Sequence, residues 1–293
     1  MFSILLSVTL IPLFIREFVQ KKKVTIILYH NLKPEQADKH FKILKSKYNI
    51  ISLKDYIKKR KLGKDNLPSK SLIITFDDGY KSVYQLKSIL KKYKIHVTIF
   101  LCSRIVGTNR HFWWDYDIDK NKREYLKNIP DKKRLEILRK LGFEEEKEFE
   151  DRQTLSKDEI EEMKNIVDFQ SHTMFHPILP NCNTERAYEE ISQSKIDLEN
   201  NYGLKIYALS YPNGNYSERE ITIVKEAGYE CAVTVDLGFN SKNTDLFRLK
   251  RICIDDVADV DELLVTVSGL WDFLLDFKNI AIRKYMLDRQ KDI

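Results

Sequence analysis

The run Ser71-Leu72-Ile73-Ile74-Thr75-Phe76 constrains this chain more than any other stretch. It is apolar without alternation, which predicts a strand buried on both faces, as in a parallel sheet covered by helices. Two adjacent carboxylates, Asp77 and Asp78, follow at its C-terminal end, where α/β folds place chemistry. Gly79 permits a tight bend, so both carboxylates could turn toward one cavity. Side-by-side carboxylates repel each other, and a metal or another cation is the usual reason to keep them. The plainer reading is a solvated strand-to-helix turn with Asp78 as an N-cap.

A second cluster stands far downstream, Ser171-His172-Thr173-Met174-Phe175-His176-Pro177. The zincin pattern is excluded, because Thr173 stands where its glutamate base would be. Pro177 also biases His176 away from helical geometry. The spacing therefore predicts a strand ending near Gln170 and a loop carrying both imidazoles. A pair of hydrogen-bonded structural histidines is the simpler alternative. Taken with Asp78, the two histidines complete a three-ligand set with open positions, as catalytic zinc or another borderline metal requires. Asp77 then remains free as a base.

Strand-like and helix-like runs alternate along the chain. Strands are predicted near Val24–His30, Tyr48–Leu53, Leu72–Asp77, Val97–Cys102, Ile166–His172, Tyr207–Tyr211, Cys231–Val235 and Phe247–Ile254. Helices are predicted near Pro34–Lys47, Val83–Tyr93, Asp131–Lys140, Lys157–Asn165, Glu185–Tyr202 and Glu218–Ala227. This rhythm implies an α/β fold with mostly parallel strands, closed or partly closed, and its motifs at strand C-terminal ends. The barrel is expected over residues 24–267. An insertion at about 107–150 breaks the rhythm as a charged, partly helical excursion over the groove. It opens with His111-Phe112-Trp113-Trp114, and Trp113 or Trp114 could stack on sugar rings or pack the insert. Residues 268–293 read as a terminal amphipathic helix.

The two clusters resemble the first and second motifs of the polysaccharide deacetylase family of carbohydrate esterases. Tyr211-Pro212-Asn213-Gly214 is similar to its third motif, and Leu28-Tyr29-His30 to a Tyr-His that opens many members. The resemblance spans about residues 24–255. It implies a distorted (β/α) barrel, Asp77 as catalytic base, and Asp78, His172 and His176 as ligands of a divalent metal, zinc above others. It implies a groove lined by Tyr211 and Asn213, with the Asn213 backbone N–H at the oxyanion. The implied substrate is an N-acetylated glycan, with acetate released.

Three departures from the pattern bear on mechanism. Ser210 stands where the third motif supplies an arginine to support the base, and Asn213 replaces its aromatic residue. No histidine follows His176, so the late general-acid histidine is missing. A branch that opens with Tyr-His and ends near Arg-Ile lacks it too, and Arg251-Ile252 fits that branch. His30 is then the candidate acid, and Arg251 the candidate support for Asp77. Arg248, three residues away, would face the opposite side of a strand. Two rivals stay open: a glycan-binding pseudoenzyme that keeps the metal without turnover, and a metal-dependent amidase acting on a small amide. An open trough suits a polymer, and a closed pocket suits the small amide.

Composition narrows the field further. Hydrophobic residues at 43% suffice for a core in 293 residues. A net charge of +6, with lysines dispersed among glutamates, reads as a solvated surface and carries no nucleic-acid motif. Cys102, Cys182, Cys231 and Cys253 form no Cys-x-x-Cys pair and read as small core residues. Residues 1–23 form an apolar then basic segment: Phe2 to Ile15, then Arg16 and Lys21-Lys22-Lys23. The apolar part falls short of the ~20 residues of a membrane span. A membrane-associated or docked helix is expected, with the side of the membrane open.

Overall fold

The computed structural model describes residues 10–63 and 66–270. Eight parallel strands build the sheet: β1 (Val24–Tyr29), β2 (Asn49–Ile50), β3 (Ser71–Phe76), β4 (Val97–Leu101), β5 (Val167–Ser171), β6 (Ala208–Ser210), β7 (Cys231–Val233) and β8 (Ile252–Cys253). The spatial order is β7-β6-β5-β4-β3-β1-β8, with β2 beside the start of β3. All of β1, β3 and β4 is buried, which is why these runs lack polar alternation. Phe76 is among the most enclosed of their side chains, and truncating it to alanine would cost about 3–5 kcal/mol.

The sheet curls back on itself through one short stretch. Leu249 bridges Val233 of β7, while Ile252 and Cys253 pair with Ile27 and Leu28 of β1. The result is a distorted barrel. The expected strand Phe247–Ile254 shrinks to β8, because its first half serves β7 and its second half β1.

Helices pack around the sheet: α1 (Leu10–Phe14), α2 (Pro34–Lys47), α3 (Leu53–Lys61), α4 (Lys87–Tyr93), α5 (Lys120–Lys127), α6 (Asp131–Lys140), α7 (Lys157–Met163), α8 (Thr184–Tyr202), α9 (Glu218–Glu226) and α10 (Val260–Val267). The sequence reading missed α3, α5 and α10. Each carries a local start signal: the Ser52, Asp119 and Asp259 side chains accept the backbone N–H of Asp55, Lys122 and Glu262.

The 107–150 excursion holds α5 and α6 around an apolar cluster of Trp113, Ile118, Leu126, Ile129, Leu138 and Phe143. An antiparallel bridge between Arg110 and Glu148 ties its two ends together. At the other pole, α1 continues into a π-helical turn, Ile15–Val19, that leads into β1. The expected C-terminal helix falls almost wholly beyond Leu270, outside the described residues, as does the start of the N-terminal apolar run. No helix among the described residues is long and apolar enough to cross a membrane.

Candidate active site

The backbone turns sharply as it leaves β3. Asp78 and Gly79 both take left-handed conformations, at φ 70° and 66°. A Cβ on Gly79 would meet the end of the Leu101 side chain, so glycine takes this turn with the least strain. Asp78 in that region carries a strain of order 1–3 kcal/mol. The turn drives both carboxylates into the barrel mouth, where Asp77 and Asp78 are buried.

The second loop is strained in the same way. Thr173 and His176 have φ 67° and 58°, and a β-branched residue at positive φ is a genuine outlier. The Thr173 hydroxyl accepts the His176 N–H at 3.1 Å, closing the loop. His172 Nδ1 lies 2.8 Å from the Ser210 carbonyl, which can only accept. His172 therefore carries its proton on Nδ1 and presents the Nε2 lone pair to the cavity.

Asp78 Oδ1 stands 3.6 Å from His172 Nε2 and 3.7 Å from His176 Nε2. Asp78, His172 and His176 offer donor atoms all within 4.8 Å of one another. Tetrahedral zinc with arms of about 2.0–2.1 Å sets its donors ~3.3–3.4 Å apart. Asp78 Oδ1 is buried without a hydrogen-bond partner. Burial and the neighbouring Asp77 charge push the Asp78 carboxyl well above the usual carboxylate range. Burial lowers both imidazoles, His176 further because His172 lies beside it. An orphaned carboxylate oxygen facing two imidazoles with their lone pairs free fits a divalent cation.

Asp77 has a different environment. Arg251 Nη1 donates to its Oδ1 at 2.8 Å and Nη2 to its Oδ2 at 2.7 Å. The Ser210 hydroxyl donates to Oδ2 at 3.1 Å and accepts from Arg251 Nη2 at 2.9 Å. Burial raises the Asp77 carboxyl, but the guanidinium outweighs it and holds the group well below the usual carboxylate range. Arg248 points outward to Glu218. The Ser210 contact went unread in the sequence, because nothing local to Ser210 reveals which side chain it faces.

These groups line a cavity of about 940 Å³ at the C-terminal ends of the strands. His30 lines it too, and Asp256 accepts the backbone N–H groups of His30 and Asn31 at 3.2 and 2.8 Å. Asn213 sits on the rim in a left-handed turn at φ 55°. Val235 and Leu237 add an exposed apolar wall.

One expected groove residue falls elsewhere. Tyr211 is fully buried, donates to the Phe247 carbonyl at 3.2 Å and stacks on Tyr216, away from the cavity. Trp113 does line the cavity, as expected. It is 2% exposed, in the apolar cluster of the insertion with Arg134 over its ring. Trp114 lines the site as well, its ring 4.3 Å from His176. It donates to the Tyr80 hydroxyl at 3.2 Å, and Tyr80 donates to Asp115 at 3.0 Å. Cys253, expected in the core, is exposed on the cavity wall, while Cys102, Cys182 and Cys231 are buried.

A candidate cation site beside a buried, ion-paired carboxylate at a barrel mouth is an arrangement suited to activating water. The chain belongs to the polysaccharide deacetylase family, whose profile matches residues 64–232. The poly-β-1,6-N-acetyl-D-glucosamine N-deacetylase of Staphylococcus epidermidis is 26% identical over 219 residues, covering 71% of this chain and 62% of that protein. Among solved structures, the Streptococcus pyogenes deacetylase PplD aligns with a TM-score of 0.63 at 22% identity, covering 84% of this chain and 99% of that one. IcaB from Ammonifex degensii aligns with a TM-score of 0.63 at 18% identity, covering 85% and 98%. Both share the barrel fold. The protein is thus a hydrolase of a metal-dependent family, acting on non-peptide C–N bonds.

Proposed function

We propose that the chain removes acetyl groups from N-acetylated sugars of a glycan, using zinc held by Asp78, His172 and His176. One observation carries this reading: the orphaned Asp78 oxygen and the Arg251-clamped Asp77 open onto the same cavity. The exposed rim of Asn31, Asn213, Val235 and Leu237 suits a chain of sugar rings better than a small enclosed amide.

A divalent metal bound there supplies Lewis-acid polarisation and acidifies water. Asp77 takes the proton from the attacking water, kept ionised and oriented by Arg251 and Ser210. His30, at the end of the neighbouring strand, gives a proton to the leaving amine. The Asn213 backbone N–H steadies the developing oxyanion. Trp114 shields His176 from solvent and offers a face to a sugar ring.

Acetate release from N-acetylated and O-acetylated glycans, with and without chelator, tests this reading. Poly-β-1,6-N-acetyl-D-glucosamine is the first polymer to try, given the staphylococcal relative. Chelator-sensitive release from an N-acetylated polymer is expected. No release from any glycan by a metal-loaded protein would favour a binding protein instead.

The reading also sets the chain on a membrane surface. Phe14 and Phe18 stack on each other while 57% and 69% exposed, next to exposed Ile11, Leu13 and Val19. Lys21 and Lys22 follow at the strand N-terminal pole, opposite the cavity. This pairing of apolar and basic residues suits an anionic lipid interface. Phe14→Ser with Phe18→Ser should abolish co-sedimentation with anionic vesicles, and unchanged sedimentation would remove the membrane from the proposal.

A further inference from the structure

We infer that Glu190 is a positioning residue for the metal site: its carboxylate sets the loop between the two histidine donors, with Arg186 and the insertion holding that carboxylate in place. The inference rests on the metal site proposed above. Glu190 lies on α8, fully buried, and none of the three motifs includes it. Its Oε2 accepts two consecutive backbone N–H groups, from Met174 at 2.8 Å and Phe175 at 2.9 Å. Two successive amides converging on one oxygen form an anion-binding nest, here filled by a side chain of the same molecule. These are the two residues between Thr173 and His176, the left-handed positions of the loop. The carboxylate therefore grips the backbone where it is most strained and where the His172–His176 spacing is decided.

The support continues outward. Arg186, one turn before Glu190 on α8, lies 2.8 Å from Glu190 Oε1 and 2.7 Å from Glu145. Its guanidinium also covers the Phe175 ring at 5.6 Å. Glu145 meets Arg134, and Arg134 meets Asp131 at 2.6 Å. Asp131, Arg134 and Glu145 all belong to the insertion. Arg134 also lies on Trp113, the neighbour of the Trp114 that covers His176. The insertion thus reaches the metal loop twice, through alternating charges and through edge-on and tilted aromatic contacts. Burial raises the Glu190 carboxyl against the pull of Arg186. Arg186 places a compensating positive charge 2.8 Å from that carboxylate, and charge-assisted hydrogen bonds are about twice as strong as neutral ones.

The experiment compares zinc affinity of the full chain, by competition with a chromogenic chelator, for wild type, Glu190→Gln and Arg186→Lys. Melting temperatures of the metal-free proteins are measured in parallel. Outer-shell partners of a metal site are worth about 10–100-fold in affinity, and a loss in that range is expected for Glu190→Gln. A loss of several-fold is expected for Arg186→Lys, because an ammonium cannot reproduce the guanidinium fork between two carboxylates. Both variants binding zinc within about twofold of wild type would overturn the inference, even if their metal-free melting falls. Should Glu190→Gln not fold, Arg186→Lys decides alone. A wild type that holds no zinc overturns the metal site itself, an outcome distinct from variants that match a zinc-binding wild type.

Discussion

Arg251 and Asp77, 174 positions apart, meet in a bidentate pair at 2.8 and 2.7 Å inside the barrel. The guanidinium also holds Thr75 and Ser210 hydroxyls and the Thr234 carbonyl. A buried pair of this kind is costly to break from one side, because the surviving charge is left uncompensated. Arg251→Met should lower stability by about 3–5 kcal/mol, read by urea unfolding of the metal-free protein. A carboxyl depressed in the fold contributes stability above its unfolded pKa of about 3.9 and loses it as pH falls below that value. The gap between wild type and Arg251→Met should therefore narrow toward acid. A gap that widens would rule out the pair as its source.

Arg251→Lys keeps the charge but loses the fork. Acetate release should fall by about 10–100-fold with zinc content unchanged, as for other partners that orient a working group. Full activity in this variant would reduce Arg251 to a structural cation.

Asp77→Asn removes a base and no donor of the cation site. Turnover should drop by at least roughly 10²-fold while bound zinc, counted by atomic absorption, stays level. Loss of zinc with the activity would mean that the roles of Asp77 and Asp78 are exchanged.

Removing the metal should cost stability, because the site draws like-charged and unpartnered groups together. Zinc at a hundred times its Kd should add ~2.7 kcal/mol to the unfolding free energy. Asp78→Asn should abolish that increment. An increment that survives in Asp78→Asn would place the zinc elsewhere.

His30 is the candidate acid of the cavity wall. His30→Ala should depress turnover by roughly 10²–10⁴, the usual range for acid–base help. A loss of only a few-fold would leave His30 as a wall residue and make Asp115, which also lines the cavity and whose carboxyl burial raises, the next acid to test.

The sequence by itself determined the strands and which residues are candidate donors. Apolar runs without alternation mark buried parallel strands, and all eight expected strands exist. Asp77-Asp78-Gly79 and the His172–His176 loop are legible because their chemistry lies within a few neighbouring residues. Only the tertiary structure decided which side chains face one another. Barrel closure through Leu249 and Ile252 puts Arg251 on Asp77, and helix packing puts Glu190 under Met174 and Phe175. It also turned Tyr211 into the core and brought Trp114 over His176. Such contacts depend on how far the sheet curls and how each helix rotates. Those are sums over many packed residues, and no local motif encodes them.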